Sequence, residues 1–161
     1  MEVTEYVEAQ KAKILVIEPE KVPYIKEVDL ASDELRNIVG SPLQAVYPYD
    51  DKVAIVCHDE GKLLNLPFNR ALYDCDGRIY DVVAGTFAVV GIGEESFISL
   101  SDEQIVKYSD RFAVPEGFAL CGKEVCAYSL NTGEILQNYD LDYSAFAAPA
   151  PGDYDFIFNL E

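Results

Sequence analysis

The chain has 161 residues, of which 50% are hydrophobic, and its 29 acidic residues outnumber its 12 basic ones to give a net charge of −17. This length fits one domain with a small appendage, and the apolar fraction excludes disorder of the whole chain. Because carboxylates repel phosphate groups, direct binding of nucleic acid or of an anionic membrane is disfavoured. The charge favours a partner protein with a basic surface, although acidity also serves solubility alone.

No apolar run approaches the roughly 20 residues of a membrane span. The first residues include Glu2, Glu5 and Glu8, where a secretory signal would carry basic residues and then an apolar run. We therefore expect a cytoplasmic protein with reduced cysteines and a polar leader over residues 1–12.

The first predicted elements are two strands and a helix. The β-branched run Lys13–Glu18 predicts a strand, and the alternation over Pro23–Asp29 predicts a second, near an edge because proline cannot donate to a ladder. Ser32 is expected to cap a short helix that buries Leu35, Ile38 and Val39. Gly40 ends it.

Further strands follow. Leu43–Tyr49 and Lys52–His58 predict a hairpin, and an Asp-Gly pair at 76–77 predicts another. Between them, Leu66–Leu72 is expected to form one helical turn entered through its proline. Gly85–Ile92 is apolar on both faces, which is typical of a central strand.

The last third begins with a helix and ends in strands. Ser101 and Gln104 form a capping box, so a helix is expected through Phe112. Lys123–Leu130 and Glu134–Tyr143 then predict a hairpin. The fold class is therefore α+β: a mixed, mainly antiparallel sheet of about five strands with two short helices. The predicted organisation is a leader at 1–12, a domain at 13–113 and an acidic β-rich extension at 114–161.

Catalytic and metal-binding patterns are weak. His58 is the single histidine and follows Cys57, but neighbours on a strand point to opposite faces, which is poor geometry for a dyad. Cys121 and Cys126 are spaced C-x4-C, whereas structural zinc prefers closer pairs. We expect no enzyme, no metal and no cofactor.

Two groups of residues are candidate binding sites. Asn69 and Arg70 lie inside an apolar segment, where the guanidinium could present a fork to a carboxylate or phosphate beside Tyr47 and Tyr49. The alternative is a structural Arg70 paired with a neighbouring carboxylate. The second group is a row of acids on predicted strand faces: Asp140, Asp142, Asp153 and Asp155.

Six segments in a fixed order carry a likeness to a known family. The chain resembles, over residues 13–113, an uncharacterised domain family carried on conjugative elements, plasmids and phages of Gram-positive bacteria. The resemblance implies a genetic setting but no activity and no functional residue. The segments are I-L-V-I-E-P-E-K-V-P-Y (14–24), A-V-Y-P-Y-D-D (45–51), V-A-I-V-C-H-D-E-G-K (53–62), L-P-F-N-R-A-L (66–72), I-Y-D-V-V-A-G-T-F (79–87) and F-I-S-L-S-D-E-Q-I (97–105).

Two hypotheses of function follow. The first is a non-enzymatic accessory protein of a mobile element that binds a host or element protein with a basic surface, in its sharpest form as an acidic DNA mimic against host defence. The second is a small-ligand binding or sequestering protein with a pocket near Arg70.

Overall fold

The computed structural model describes residues 9–73, 79–121, 124–133 and 135–140. Within these residues the chain forms eleven strands and two helices. The elements are β1 (Lys11–Ile17), β2 (Tyr24–Asp29), α1 (Glu34–Val39), β3 (Leu43–Val46), β4 (Val53–His58), β5 (Phe68–Tyr73), β6 (Ile79–Ala84), β7 (Phe87–Ile92), β8 (Phe97–Ile98), α2 (Asp102–Arg111), β9 (Glu116–Cys121), β10 (Glu124–Ser129) and β11 (Ile135–Asp140).

A six-stranded sheet forms the centre of the molecule. Its order is β2-β1-β7-β4-β3, with the short β8 paired to β7. Each strand pair in the described residues is antiparallel, so the α+β class and the mainly antiparallel sheet are confirmed. The expected mixture with parallel pairs is not seen among these residues. The strand β2 lies at an edge, as its preceding proline predicts, and β7 lies in the middle.

Both faces of this sheet are covered. On β1, Leu15 and Ile17 join one buried cluster while Ile14 and Val16 join another, because side chains alternate along a strand. The first cluster includes residues of α2, β5 and β6, and the second includes residues of α1. The unbroken apolar runs in β4 and β7 follow from this burial on two sides.

The two helices form where local signals place them. Helix α2 has the expected capping box, in which the Ser101 hydroxyl accepts from Gln104 N–H and the Gln104 side chain accepts from Ser101 N–H. Helix α1 begins one residue later than expected, with Asp33 as its N-cap residue. Ser32 still contributes, since its Oγ accepts from Glu34 N–H at 3.2 Å.

The segment expected to be a helical turn is a strand. Residues Phe68–Tyr73 form β5, which pairs with β6 in a separate two-stranded sheet. Local preference gives way to long-range contacts here, because the side chains of Asn69 and Arg70 bind backbone carbonyls of distant segments.

A third sheet, of order β11-β10-β9, follows α2. The strands β10 and β11 form the hairpin that the sequence predicts. The strand β9 lies against β5, where the Phe68 and Phe118 rings meet edge to face with centroids 5.6 Å apart. The division at residue 113 stays a prediction, and residues 141–161 lie outside the described part. None of the helices in that part is long and apolar enough to span a membrane.

Candidate functional site

Several loops meet at one end of the six-stranded sheet. In the antiparallel register, Asp29 at the end of β2 pairs with Lys11 at the start of β1, and Val53 at the start of β4 pairs with Gly91 near the end of β7. The β3–β4 loop, the β7–β8 turn and the start of α2 are joined to this end by hydrogen bonds from Ile92 N–H and Gln104 Nε2 to the Lys52 carbonyl. We call this region the acidic end.

The acidic end carries more carboxylates than it neutralises. Its acids are Asp29, Asp50, Asp51, Glu94, Glu95, Asp102 and Glu103. Of these seven, Asp51 is the one that forms an ion pair with a described residue, at 3.3 Å from Lys107 Nζ. Lys11, Lys52 and Lys107 lie at the same end, and the acids outnumber these lysines seven to three. The excess leaves a negative potential that favours a cationic partner.

A cleft of about 470 Å³ opens among these loops. Tyr47 contributes an aromatic side chain that is 62% exposed, and Glu94 and Glu95 contribute two exposed carboxylates. The floor is formed by apolar residues, including Leu35 of α1 and Phe97 of β8. An exposed aromatic ring beside carboxylates is suited to a lysine or arginine side chain, which gains from both the charge and the ring face.

Helix α2 is fastened to the acidic end through Asp51. The Tyr108 hydroxyl donates to Asp51 Oδ2 at 2.8 Å, and Lys107 Nζ is close to the same oxygen. The hydrogen bond from Tyr108 is the main reason that the pKa of Asp51 lies below its ordinary value. The helix therefore holds the β3–β4 loop in place.

Arg70 is buried and fully used by the protein itself. Its side chain is 0% exposed, and each of its five N–H groups donates a hydrogen bond. Two donate to Phe112 O, and one each donates to Lys21 O, Asn69 O and Asn69 Oδ1. Asn69 is held in turn, because its Nδ2 donates to Ile17 O and Gly85 O at 2.8 and 2.9 Å. The prediction that Arg70 presents its guanidinium to a ligand is therefore wrong. Arg70 has the alternative structural role, but its partners are carbonyl groups and not the expected carboxylate.

Neither tyrosine of the expected pocket is among the hydrogen-bond partners of the Arg70 guanidinium. Tyr47 lines the cleft at the acidic end, separated from Asn69 by about the length of β1, roughly 20 Å. Tyr49 packs on the Tyr108 ring with centroids 5.2 Å apart, and the Arg111 guanidinium lies 4.4 Å from its ring centroid. Of the four residues of the expected pocket, Asn69 and Arg70 are thus the two that meet.

Cys57 and His58 end β4 beside a cleft of about 540 Å³. Burial raises the pKa of the Cys57 thiol to about 11, so the thiol is protonated at neutral pH. His58 is half-buried, its Nδ1 accepts from Glu60 N–H at 3.0 Å, and its ring lies on Gly40. A Lys62–Asp81 ion pair lines the same cleft. No activated nucleophile results from this arrangement.

A residue that sequence reasoning missed is Glu116, the first residue of β9. It is 7% exposed, and burial raises the pKa of its carboxyl to about 7, against the lowering effects of Ala71 N–H and of Arg70. The sequence holds a signal for it: a period of two places Glu116 on the same face of β9 as the buried Phe118.

The expected row of acids falls mostly beyond the described structure. Asp140 is the last residue of β11, and Asp142, Asp153 and Asp155 lie outside the described residues. Among the residues that are described, no group of three or more His, Cys, Asp and Glu side chains is placed to hold a metal ion.

Comparison with known proteins gives a family and no activity. No curated protein and no solved structure matches the chain. Residues 12–113, more than half of the chain, match the family described as a domain of unknown function, DUF3846. The chain therefore belongs to the DUF3846 family.

Proposed function

We propose that this protein is a non-enzymatic binding protein whose acidic end receives a basic segment of a partner protein. The observation that supports this proposal is a cleft lined by the exposed side chains of Tyr47, Glu94 and Glu95. This cleft lies at an end of the sheet with seven acids, of which Asp51 is the one paired with a described base. A segment rich in arginine or lysine would supply the missing charge, and one of its cations would stack on the tyrosine ring.

Binding is proposed in preference to catalysis because the nucleophile and base in the Cys57–His58 cleft are not activated. The thiol is held protonated, and His58 Nδ1 is occupied by a backbone N–H. The proposed location is the cytoplasm, where the buried Cys57 and Cys126 stay reduced.

The proposed setting is a mobile genetic element, and it rests on the sequence resemblance described above. Within that setting the sharpest form of the proposal is DNA mimicry against host defence, with carboxylates in place of phosphates. A partner captured by the protein should then be released by duplex DNA. Release by salt but not by duplex DNA would retain the basic-partner proposal and reject mimicry.

The binding proposal is tested with a peptide of eight arginines spaced by glycines, titrated calorimetrically into the full chain. One triple variant, Asp50→Asn with Glu94→Gln and Glu95→Gln, removes three charges from the acidic end. A matched triple variant, Asp59→Asn with Glu60→Gln and Asp110→Asn, removes the same charge from exposed positions outside the acidic end.

We expect the first variant to weaken binding about tenfold and the second about twofold, since screened charges act over about 10 Å. Tyr47→Ala should weaken binding by a further few-fold, in keeping with a cation–π contact of about 0.5–1 kcal/mol. Equal losses in the two triple variants would show that net charge alone attracts the peptide, and the proposal would fail.

A small-ligand site built on Arg70 gains no support, because the guanidinium has no donor left for a ligand.

A further inference from the structure

A second cavity, of about 300 Å³, lies between β9–β10 and the loops that follow β1 and precede β5. Its walls carry the rings of Phe68, Phe118 and Tyr128, and its polar groups include the carboxyls of Glu116 and Glu20. This volume falls within the range of small-molecule sites. It shares no residue with the acidic end.

Glu116 has one carboxyl oxygen that receives no hydrogen bond from any described residue. Its Oε1 accepts from Ala71 N–H at 3.2 Å, and no other hydrogen bond or ion pair to its carboxyl occurs within the described part of the chain. No fully buried side-chain oxygen there lacks a partner, so Oε2 retains some accessible surface. A nearly buried carboxyl with one free oxygen is suited to a ligand that donates or carries positive charge.

The charge of the cavity lining favours a cationic ligand. The described lining contains two carboxyls and no basic residue. Arg70 is the base whose charge acts on Glu116, but its donors are all taken by other acceptors. Its charge changes the pKa of Glu116 less than burial and the Ala71 hydrogen bond do. Tyr49 and Tyr73 also face Glu116 electrostatically, and burial raises the pKa of both, so they stay neutral.

The lining has two unusual backbone features. Gly117 lies under the Tyr128 ring, where a Cβ would come within 2.2 Å of Tyr128 Cζ, so glycine lets the ring lie across the strand. Glu20 and Asn65, which line the cavity, are the two described non-glycine residues with positive φ, at 68° and 54°. Backbone strain of this kind concentrates at binding sites.

We infer that this cavity is a binding site for a small organic cation with an alkylammonium group, held by the Glu116 carboxylate beside the rings of Phe118 and Tyr128. Aromatic rings around a carboxylate favour such ions, because each ring face is negative and the buried charge is little screened. The inference is independent of the acidic end.

The test uses choline and its uncharged isostere 3,3-dimethyl-1-butanol, titrated into the full chain and followed by calorimetry and by tyrosine fluorescence. We expect choline to bind and the alcohol to bind at least tenfold more weakly. Because a Glu116 pKa of about 7 leaves the carboxyl mostly protonated at pH 6, choline affinity should rise about tenfold between pH 6 and pH 8.

Three variants locate the effect. Glu116→Gln keeps an acceptor for Ala71 N–H and should remove both the preference for choline and its pH dependence. Phe118→Leu should weaken choline at every pH, while Glu60→Gln, an exposed acid outside the cavity, should change neither. Equal affinity for the two probes, no binding of choline, or unchanged pH dependence in Glu116→Gln would each overturn the inference. The acidic-end variants leave this cavity unaltered, so the two proposals fail separately.

Discussion

Arg70 Nη1 lies 2.9 Å from Asn69 Oδ1, and the two neighbouring side chains together bind carbonyls from four separate positions of the chain, Ile17, Lys21, Gly85 and Phe112. The pair thus joins the hairpin β5–β6 to the end of β1 and to the end of α2. The pair forms a polar hydrogen-bond network, here called the polar tie, within an apolar core. Its burial is tolerated because all of its donors have acceptors.

Replacing Asn69 should test this tie. Asn69→Ala removes three buried hydrogen bonds and leaves their partners unsatisfied, so we expect the free energy of unfolding in urea to fall by about 3 kcal/mol. The control is Asn37→Ala on the exposed side of α1, which should change stability by less than about 0.5 kcal/mol. Similar small losses in both variants would contradict a structural role for Asn69.

Arg70→Lys should lower the free energy of unfolding even though it retains the positive charge. A lysine has three donors on one atom and cannot reach the acceptors that the planar guanidinium meets, so we expect a loss of about 3 kcal/mol or more in the same assay. Arg36→Lys, on an exposed helical position, serves as the control. A loss below about 1 kcal/mol at Arg70 would show that the guanidinium network is dispensable.

Glu116 should make stability depend on pH in a definite direction. The folded pKa, about 7, is higher than the ordinary value of 4.5, so the folded state binds the proton more tightly and loses stability as pH rises between these values. The full effect corresponds to about 3 kcal/mol. Below the ordinary pKa both states are protonated and the effect vanishes.

The expected result is that Glu116→Gln is more stable than the wild type at pH 8 and equal to it at pH 4, as measured by urea unfolding at each pH. The introduced glutamine keeps an oxygen to accept from Ala71 N–H, so the change isolates the charge. A variant that is less stable than the wild type at pH 8 would mean that the carboxylate is stabilised in the folded state, contrary to its burial.

The capping box of α2 gives a prediction of a local kind. Ser101→Ala removes the acceptor for Gln104 N–H and should lower the unfolding free energy by about 1 kcal/mol. Ser101→Asp retains an acceptor at the N-cap position and should restore most of the loss. If alanine and aspartate behave alike, the cap does not contribute to the stability of the helix.

The sequence predicts best where structure depends on near neighbours. The box at Ser101 and Gln104, the stop at Gly40 and the two-sided burial of β7 each follow from patterns within a few residues. The strand β5 was missed because its conformation depends on carbonyls as far as 52 residues away in sequence, which no local pattern contains. The separation of the strands into three sheets was also not predicted, because it too depends on contacts between residues far apart in sequence.

The candidate sites were also predictable only in part from the sequence. Asn69 and Arg70 stand out in the sequence as polar residues in an apolar segment, but burial alone decides between a ligand site and a core tie. Glu94 and Glu95 stand out only as charges, and their position beside Tyr47 depends on the register that places the β7–β8 turn next to the β3–β4 loop. Pairing between strands far apart in sequence creates both sites.

The most direct measurement of the central claim is a map of backbone amide chemical shifts on the ¹⁵N-labelled full chain during titration with the arginine–glycine peptide. We expect the largest changes to fall on residues 29, 47–52, 93–96 and 102–103, and to shrink when salt is raised from about 50 to about 200 mM, because exposed ion pairs are screened. Changes centred on residues 18–21 and 58–62 at the opposite end, or spread evenly over the surface, would contradict a binding site at the acidic end.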